Sequence, residues 1–205
     1  MKLIPALALA AGLAFAALPA SAQIATDAPA GTYTIDPTHA SVTFKVKHLG
    51  LSNYTARFAK FDATLVFDPA KPETAKLTAS IDPQSIRTDY PFADKKNFDK
   101  VLATDAKWFN AEFFDKITFT STSVKVTGPQ TADVTGDLTL LGVTKPSTLK
   151  VTFNGGMKEH PFAKKPAIGF SATGSINRSD FGMGYLVPTV GDEVALLIEA
   201  EMFGQ

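Results

Sequence analysis

The sequence predicts an all-β protein of about eight antiparallel strands with one inserted helix, either stacked as a sandwich or closed as a barrel. Apolar and polar residues alternate through most of the chain, as they do where a strand has one dry face and one wet face. Only one stretch shifts to helical spacing, so the βαβ rhythm of a parallel sheet is missing. Asp-Pro, Gly and Pro punctuate the alternating runs, marking turns between strands.

The first strand is short, GTYTID at residues 31–36, and Pro37 closes it. Residues 40–47 are clearer, with Val42, Phe44 and Val46 opposing Ser41, Thr43, Lys45 and Lys47. Residues 48–56 break the period and read as a loop, and residues 57–67 resume it with Phe61, Ala63, Leu65 and Phe67 on one parity. After a turn at residues 68–72, Leu77, Ala79 and Ile81 make a fourth dry row. In residues 91–103 the period changes. Phe98, Val101 and Leu102 fit i, i+3, i+4 spacing, charged residues from Asp94 to Lys100 cover the other side, and Pro91 suits a first helical position. The aromatic-dense WFNAEFF, residues 108–114, leads back into strands.

Residues 116–127 alternate with a slip. Ile117 and Phe119 share one phase, Val124 and Val126 the other, so a bulge between Thr120 and Ser123 is expected. A hairpin follows in residues 131–155. Val134, Gly136, Leu138 and Leu140 form one dry row, Leu149, Val151 and Phe153 the other, around a connection at residues 142–146 that contains Gly142 and Pro146. Ile168, Phe170, Ala172, Gly174 and Ile176 make the next row, residues 177–185 interrupt, and Val194, Leu196, Ile198, Ala200 and Met202 end the chain as a last strand.

The first 22 of the 205 residues are unlike the rest. Lys2 precedes an apolar run to Leu18, followed by Pro19 and Ala20-Ser21-Ala22, the pattern of a secretory signal peptide cleaved after Ala22. A membrane anchor is the alternative, but the run is short for a span and ends in a cleavage pattern. The domain plan is therefore a signal peptide at residues 1–22, a flexible tether at 23–30 and a β domain at 31–205. Cleavage removes Lys2 alone among the charges, leaving 19 basic against 20 acidic residues. Such a balance offers no basic field for nucleic acid. There is no cysteine, so no disulfide framework accompanies export, and the 16 Phe must supply the core instead.

The dry rows mix Phe44, Phe61, Phe119, Phe153 and Phe170 with Ala63, Ala79, Gly136, Ala172 and Gly174. Large beside small suits an interlocked, filled interior, which the residues alone favour, and equally a tube whose small positions admit a chain. A transmembrane barrel also alternates, but it would carry Trp and Tyr girdles, and this chain has one Trp and four Tyr.

Three segments resemble the YceI-like proteins: YTIDPTHASVTF at residues 33–44, GDLTLLGVTKP at 136–146 and FSATGSINRSDFGM at 170–183. The likeness runs from about Gly31 to Phe203, with one departure, Asp115 before the Ile-Thr-Phe strand where the family usually has proline. The resemblance implies a periplasmic, lipocalin-like β-barrel with an elongated apolar tunnel for a polyisoprenoid, an isoprenoid quinone or a fatty-acid-like lipid, without a cofactor and without catalysis. On that reading the tail-facing residues are Val42, Phe44, Phe61, Leu65, Phe119, Leu138, Leu140, Phe153, Phe170, Ile176, Leu196 and Ile198, with the helix and residues 108–114 as a lid at one mouth. Pairing of two copies as a homodimer is compatible with it.

Of the three histidines, His39 and His48 have opposite parity around one strand and His160 sits in a Lys/Pro loop, so no metal-ligand spacing arises. Each reads first as a surface or hydrogen-bonded histidine, with His39 also a head-group candidate at the barrel rim. Arg178 follows a dry strand directly and is the second head-group candidate, although a structural role within the turn is favoured. No nucleophile elbow, phosphate loop or dinucleotide fingerprint is present. An enzyme working on a lipid in the same tunnel, with His39 or Arg178 as acid or base, is the alternative function.

Overall fold

A computed structural model describes residues 23–205, so the expected signal peptide lies outside the described residues. The strands are β1 (Gly31–His48), β2 (Ser52–Phe58), β3 (Phe61–Phe67), β4 (Lys76–Ile81) and β5 (Ile86–Arg87), then β6 (Ile117–Gly128), β7 (Thr131–Leu140), β8 (Val143–Met157), β9 (Ala167–Asn177) and β10 (Val190–Gly204), with the helix α1 (Phe98–Thr104) between β5 and β6. All pairings are antiparallel. Following β10-β9-β8-β7-β6-β4-β3-β1, with β1 returning to β10, eight strands close into a barrel.

The first two expected strands are one. β1 runs through Pro37 by a detour in which residues 36–39 stand opposite Glu201 alone, between the pairs Ile35↔Met202 and Ala40↔Ala200. The detour tolerates Pro37 because no ladder N–H is needed there. Residues 52–56, expected in a loop, belong to β2, and β2 and β3 together make one kinked ribbon. β2 lies along the far half of β1, from Val42↔Phe58 to His48↔Ser52, and β3 along its near half, from Thr34↔Thr64 to Gly31↔Phe67. The expected slip in β6 is present: the ladder to β7 skips between Ser121 and Ser123. The hairpin turn is tighter than expected, with only Leu141 and Gly142 between Leu140↔Val143, both at positive φ of 51° and 72°.

The helix is shorter than its periodicity implied and starts at Phe98, not near Pro91. Asn97 caps it through a side-chain oxygen that accepts the Lys100 N–H at 2.9 Å, and residues 91–95 form a separate turn. α1 and residues 105–116 occupy the upper end of the barrel, packed against β5, where β5 and β6 do not pair. At the lower end lies the segment expected to be a flexible tether. Its Ile24 and Ala28 are buried, and the Ile24 N–H donates to the Pro69 carbonyl at 2.8 Å.

The dry rows point inward, and Thr, Lys, Asp and Ser cover the outer face, the reverse of a barrel that meets lipid with its outside. Among the described residues no helix is long and apolar enough to cross a membrane.

Candidate ligand-binding cavity

The barrel is hollow. A cavity of about 700 Å³ runs from Ile24 and Pro72 at the lower end to Lys107 and Tyr185 at the upper. Pockets of this size suit a single small or elongated ligand. Its wall is almost wholly Val, Leu, Ile, Ala, Met and Phe. Most of the polar side chains on it lie at the ends, Gln130 and Thr131 below and His48, Lys96, Asp105, Lys107 and Arg178 above, with Ser147 on the side wall opposite Gly136.

Parity creates this wall. On β1 the even positions Val42, Phe44, Val46 and His48 face the cavity, while residues between them face out. All twelve residues expected to face a tail line the cavity. Phe67, Phe153 and Phe170 meet with ring centroids 5.4 to 5.9 Å apart near the lower end. Phe44, Phe58 and Phe109 form a second trio near the upper end, at 5.3 to 6.3 Å. Phe58 was absent from the expected set because residues 57–67 read as one strand in which it falls on the other parity from Phe61, whereas the chain breaks between β2 and β3, and Phe109 because residues 108–114 had no period.

The small positions divide into two kinds. Ala63, Ala79 and Ala172 lie on the cavity wall. Gly136 and Gly174 do not open the bore as expected. A Cβ on Gly136 would sit 2.5 Å from Phe119 Cζ, and one on Gly174 2.8 Å from Leu149 Cδ2. These glycines are filled by their neighbours' side chains.

The lid candidates stand at the upper mouth. Phe98, Val101 and Leu102 of α1, with Trp108 and Phe109 after it, all line the cavity. Trp108 packs edge-on to Tyr185 at 5.5 Å, and Lys107 Nζ lies 4.7 Å from the Tyr185 ring centroid.

Both head-group candidates are taken up by the protein itself, His39 as a hydrogen-bonded surface histidine and Arg178 in the structural role favoured for it. His39 lies outside the cavity, in the β1 detour, where its Nδ1 meets Asp36 Oδ2 at 2.8 Å. Burial pushes the Asp36 carboxyl up, but hydrogen bonds from Thr38 and His39 outweigh this and hold it below its ordinary value. The same Asp36 contact raises His39, helped by the charge of Glu201. Asp36, His39 and Glu201 cluster closely enough for their ligand atoms to reach one ion. The histidine at the rim is His48, whose parity with Val42, Phe44 and Val46 was the available signal.

Arg178 does reach the cavity but is bound to backbone. Its Nε donates to the Gly191 carbonyl at 2.8 Å, one terminal nitrogen to Met183 and Tyr185 at 2.7 and 2.9 Å, and the other to Val190 at 2.8 Å. Burial lowers the guanidinium from its ordinary value, and the charge of Asp192 opposes that. Asp192 itself is bonded to the Ser179 N–H and hydroxyl at 2.8 and 2.6 Å. Arg178 therefore fastens residues 183–191 over the upper end.

Residues 33–202 match the family model of the YceI-like domain. Curated relatives from Pseudomonas carry the name UPF0312 protein. That of Pseudomonas savastanoi pv. phaseolicola is 42% identical over 179 residues, 86% of this chain and 89% of the relative. That of Pseudomonas fluorescens is 42% identical over 156 residues, 75% of this chain and 77% of the relative. Among solved structures, the Campylobacter jejuni YceI protein superposes with a TM-score of 0.67 at 32% identity, over 78% of this chain and 91% of that one. Burkholderia cenocepacia BcnA superposes at 0.69 with 26% identity, over 82% and 98%. A polyisoprenoid binding domain from Saccharophagus degradans shares the fold alone, with a TM-score of 0.57 at 14% identity over 84% and 98%. The family match over nearly all of the barrel, with relatives above 40% identity, shows that this chain belongs to the YceI-like family.

Proposed function

We propose that the protein is an exported lipid-binding protein that holds one long isoprenoid or similar apolar tail in the barrel and carries it through an aqueous compartment. The observation that carries the reading is the cavity itself, a bore of about 700 Å³ with almost wholly apolar walls and most of its polar groups at the ends. The polyisoprenoid-binding description of a domain with the same fold points the same way. The pattern of residues 1–22 supports export to the periplasm.

Chain length follows from magnitudes. Each methylene-sized group moved from water into such a bore gains about 0.8 kcal/mol, so ten give roughly 8 kcal/mol gross. Association itself costs about 4–15 kcal/mol, so ten carbons are marginal and twenty are not. The wall has no directional demands along its middle, which fits a flexible chain better than a rigid polar substrate. His39 lies outside the cavity and Arg178 is held by four carbonyl contacts, so neither residue of the enzyme alternative stands ready as acid or base on a tail.

Trp108 gives a direct assay, because it is the sole tryptophan and lines the upper mouth. Titration with a prenol of about twenty or more carbons is expected to change its emission saturably at one equivalent, and a ten-carbon prenol to bind at least about tenfold more weakly. An unchanged Trp108 signal together with no retained lipid after gel filtration would overturn the reading.

A further inference from the structure

Exposed apolar side chains gather at one end of this barrel. Among the described residues twelve large apolar side chains are exposed, and four of them, Val66, Met157, Phe162 and Leu197, lie on the outer wall or at the lower end. The other eight come from the turn at residues 49–51, from Phe92, Phe113 and Val143, and from residues 185–187, all at the upper end. These segments adjoin. The Leu49 N–H donates to the Thr189 carbonyl at 2.9 Å, and Phe92 reaches Phe98 of α1 through the Tyr90 ring, at 5.8 and 5.4 Å between centroids. Phe114, beside Phe113, lies against the Gly142 that precedes Val143.

Three features separate this rim from incidental surface residues. Leu49 and Leu186 both hold left-handed backbone, at φ of 53° and 62°, where a turn chosen for shape alone would carry Gly or Asn. Tyr185 and Leu186 belong to the exposed rim and to the bore wall at once, so a tail entering by the upper mouth crosses the rim. Lysines rest on its aromatic rings, Lys95 Nζ 5.3 Å from the Phe92 centroid and Lys107 Nζ 4.7 Å from that of Tyr185. That pairing keeps a charge in water above a buried apolar body, as side chains do at a membrane interface.

We propose that the rim docks on the surface of a lipid bilayer, with Leu49, Leu51 and Leu186 dipping among the head groups, so that a tail passes between bilayer and bore without crossing water. The inference rests on the carrier reading above and adds the partner from which the cargo is drawn. Exposing a tail to water costs free energy in proportion to its length, and a rim seated on the bilayer removes that cost. Leu51 and Phe113 are 86% and 82% exposed, separate tips that a fluid surface can receive. Residues 87–116, the longest segment at this end, carry six basic and six acidic residues, so insertion of apolar groups, not charge, drives the docking.

The test is flotation with phosphatidylcholine vesicles free of prenol, applied to the native chain, to Leu49→Asp/Leu51→Asp and to Phe162→Asp. Leu49 and Leu51 do not line the bore, Asp tolerates the left-handed backbone at residue 49, and Phe162 is an exposed apolar residue away from the rim. The native chain and Phe162→Asp are expected to float alike, and the double variant to partition at least about tenfold more weakly. Raising NaCl from about 50 to about 500 mM is expected to change native partition by less than about twofold. All three proteins are expected to give the same Trp108 titration with a prenol of about twenty carbons. Equal flotation of all three overturns the docking and leaves the carrier reading intact. So does flotation of none while each binds prenol, a result that would assign the rim to a protein partner. If the native chain binds no prenol, the carrier reading falls and this inference with it.

Discussion

Arg178 is 3% exposed and carries its charge into the rim of an apolar bore, where carbonyl oxygens, not a carboxylate, receive it. Arg178→Met would leave the carbonyls of Met183, Tyr185, Val190 and Gly191 without this partner, so urea denaturation should show a loss of at least about 2 kcal/mol. Arg178→Lys should rescue little of it, since an ammonium cannot fork to four carbonyls. Asp36 and His39 make a second residue-level prediction. His39 is raised, so its contribution is complete below about pH 6.5 and is lost as pH rises through the raised value. Asp36 is lowered, so its contribution is complete above about pH 4 and is lost as pH falls through the lowered value. The melting temperature of the native chain should therefore decline above pH 6.5 more than that of His39→Gln, and the two curves should run parallel if the contact contributes nothing. The rim histidine is His48, which shares the parity of Val42, Phe44 and Val46, although His39 was the residue named for the rim. His39 lies in the detour of residues 36–39, where alternation is suspended, so parity says nothing of which way it faces.

At the scale of elements, the ribbons β6 and β7 show how far pattern reaches. Their bulge was legible because a slipped parity has a single simple cause, and the ladder skips within the expected stretch. What Gly136 does was not legible. It makes room for Phe119, whose ring would meet a Cβ at 2.5 Å, as would the Thr120 carbonyl oxygen. Because one of those atoms is backbone, Gly136→Val should cost about 1–3 kcal/mol or more by strain, measured by thermal or urea unfolding. A cost near zero would mean that the Phe119 ring is free to leave. The start of α1 was missed for a related reason. Pro91 and the charged run after it imitate a first helical turn, but Asn97 has the side chain that caps, and Tyr90 and Phe92 pack on one another at 5.8 Å outside the helix.

For the whole molecule, alternation and the lack of a parallel rhythm gave about eight antiparallel strands that could stack as a sandwich or close as a barrel, and only the family resemblance chose the barrel that the strand order shows. Whether the enclosure is filled depends on sums of side-chain volume across strands that are far apart in sequence, such as Ala79 on β4 and Ala172 on β9. No local pattern reports such a sum. Alanine and glycine look alike in a dry row, yet Ala63, Ala79 and Ala172 face the void while Gly136 and Gly174 are filled. Closure at the lower end was hidden too, because residues 23–30 have no period, and Ile24 is held there by the Pro69 contact and by packing with residues distant in sequence such as Phe153 and Met202.

The central claim is that this void is occupied by one long tail. Native mass spectrometry after incubation with vesicles containing a long-chain prenol tests it most directly, with Ala79→Phe/Ala172→Phe as the filled-bore comparison. The account predicts one added prenol mass on the native chain, and a clear loss of it on the double variant with the β-sheet circular dichroism retained. A bare native mass, or equal lipid loading of both proteins, would contradict it.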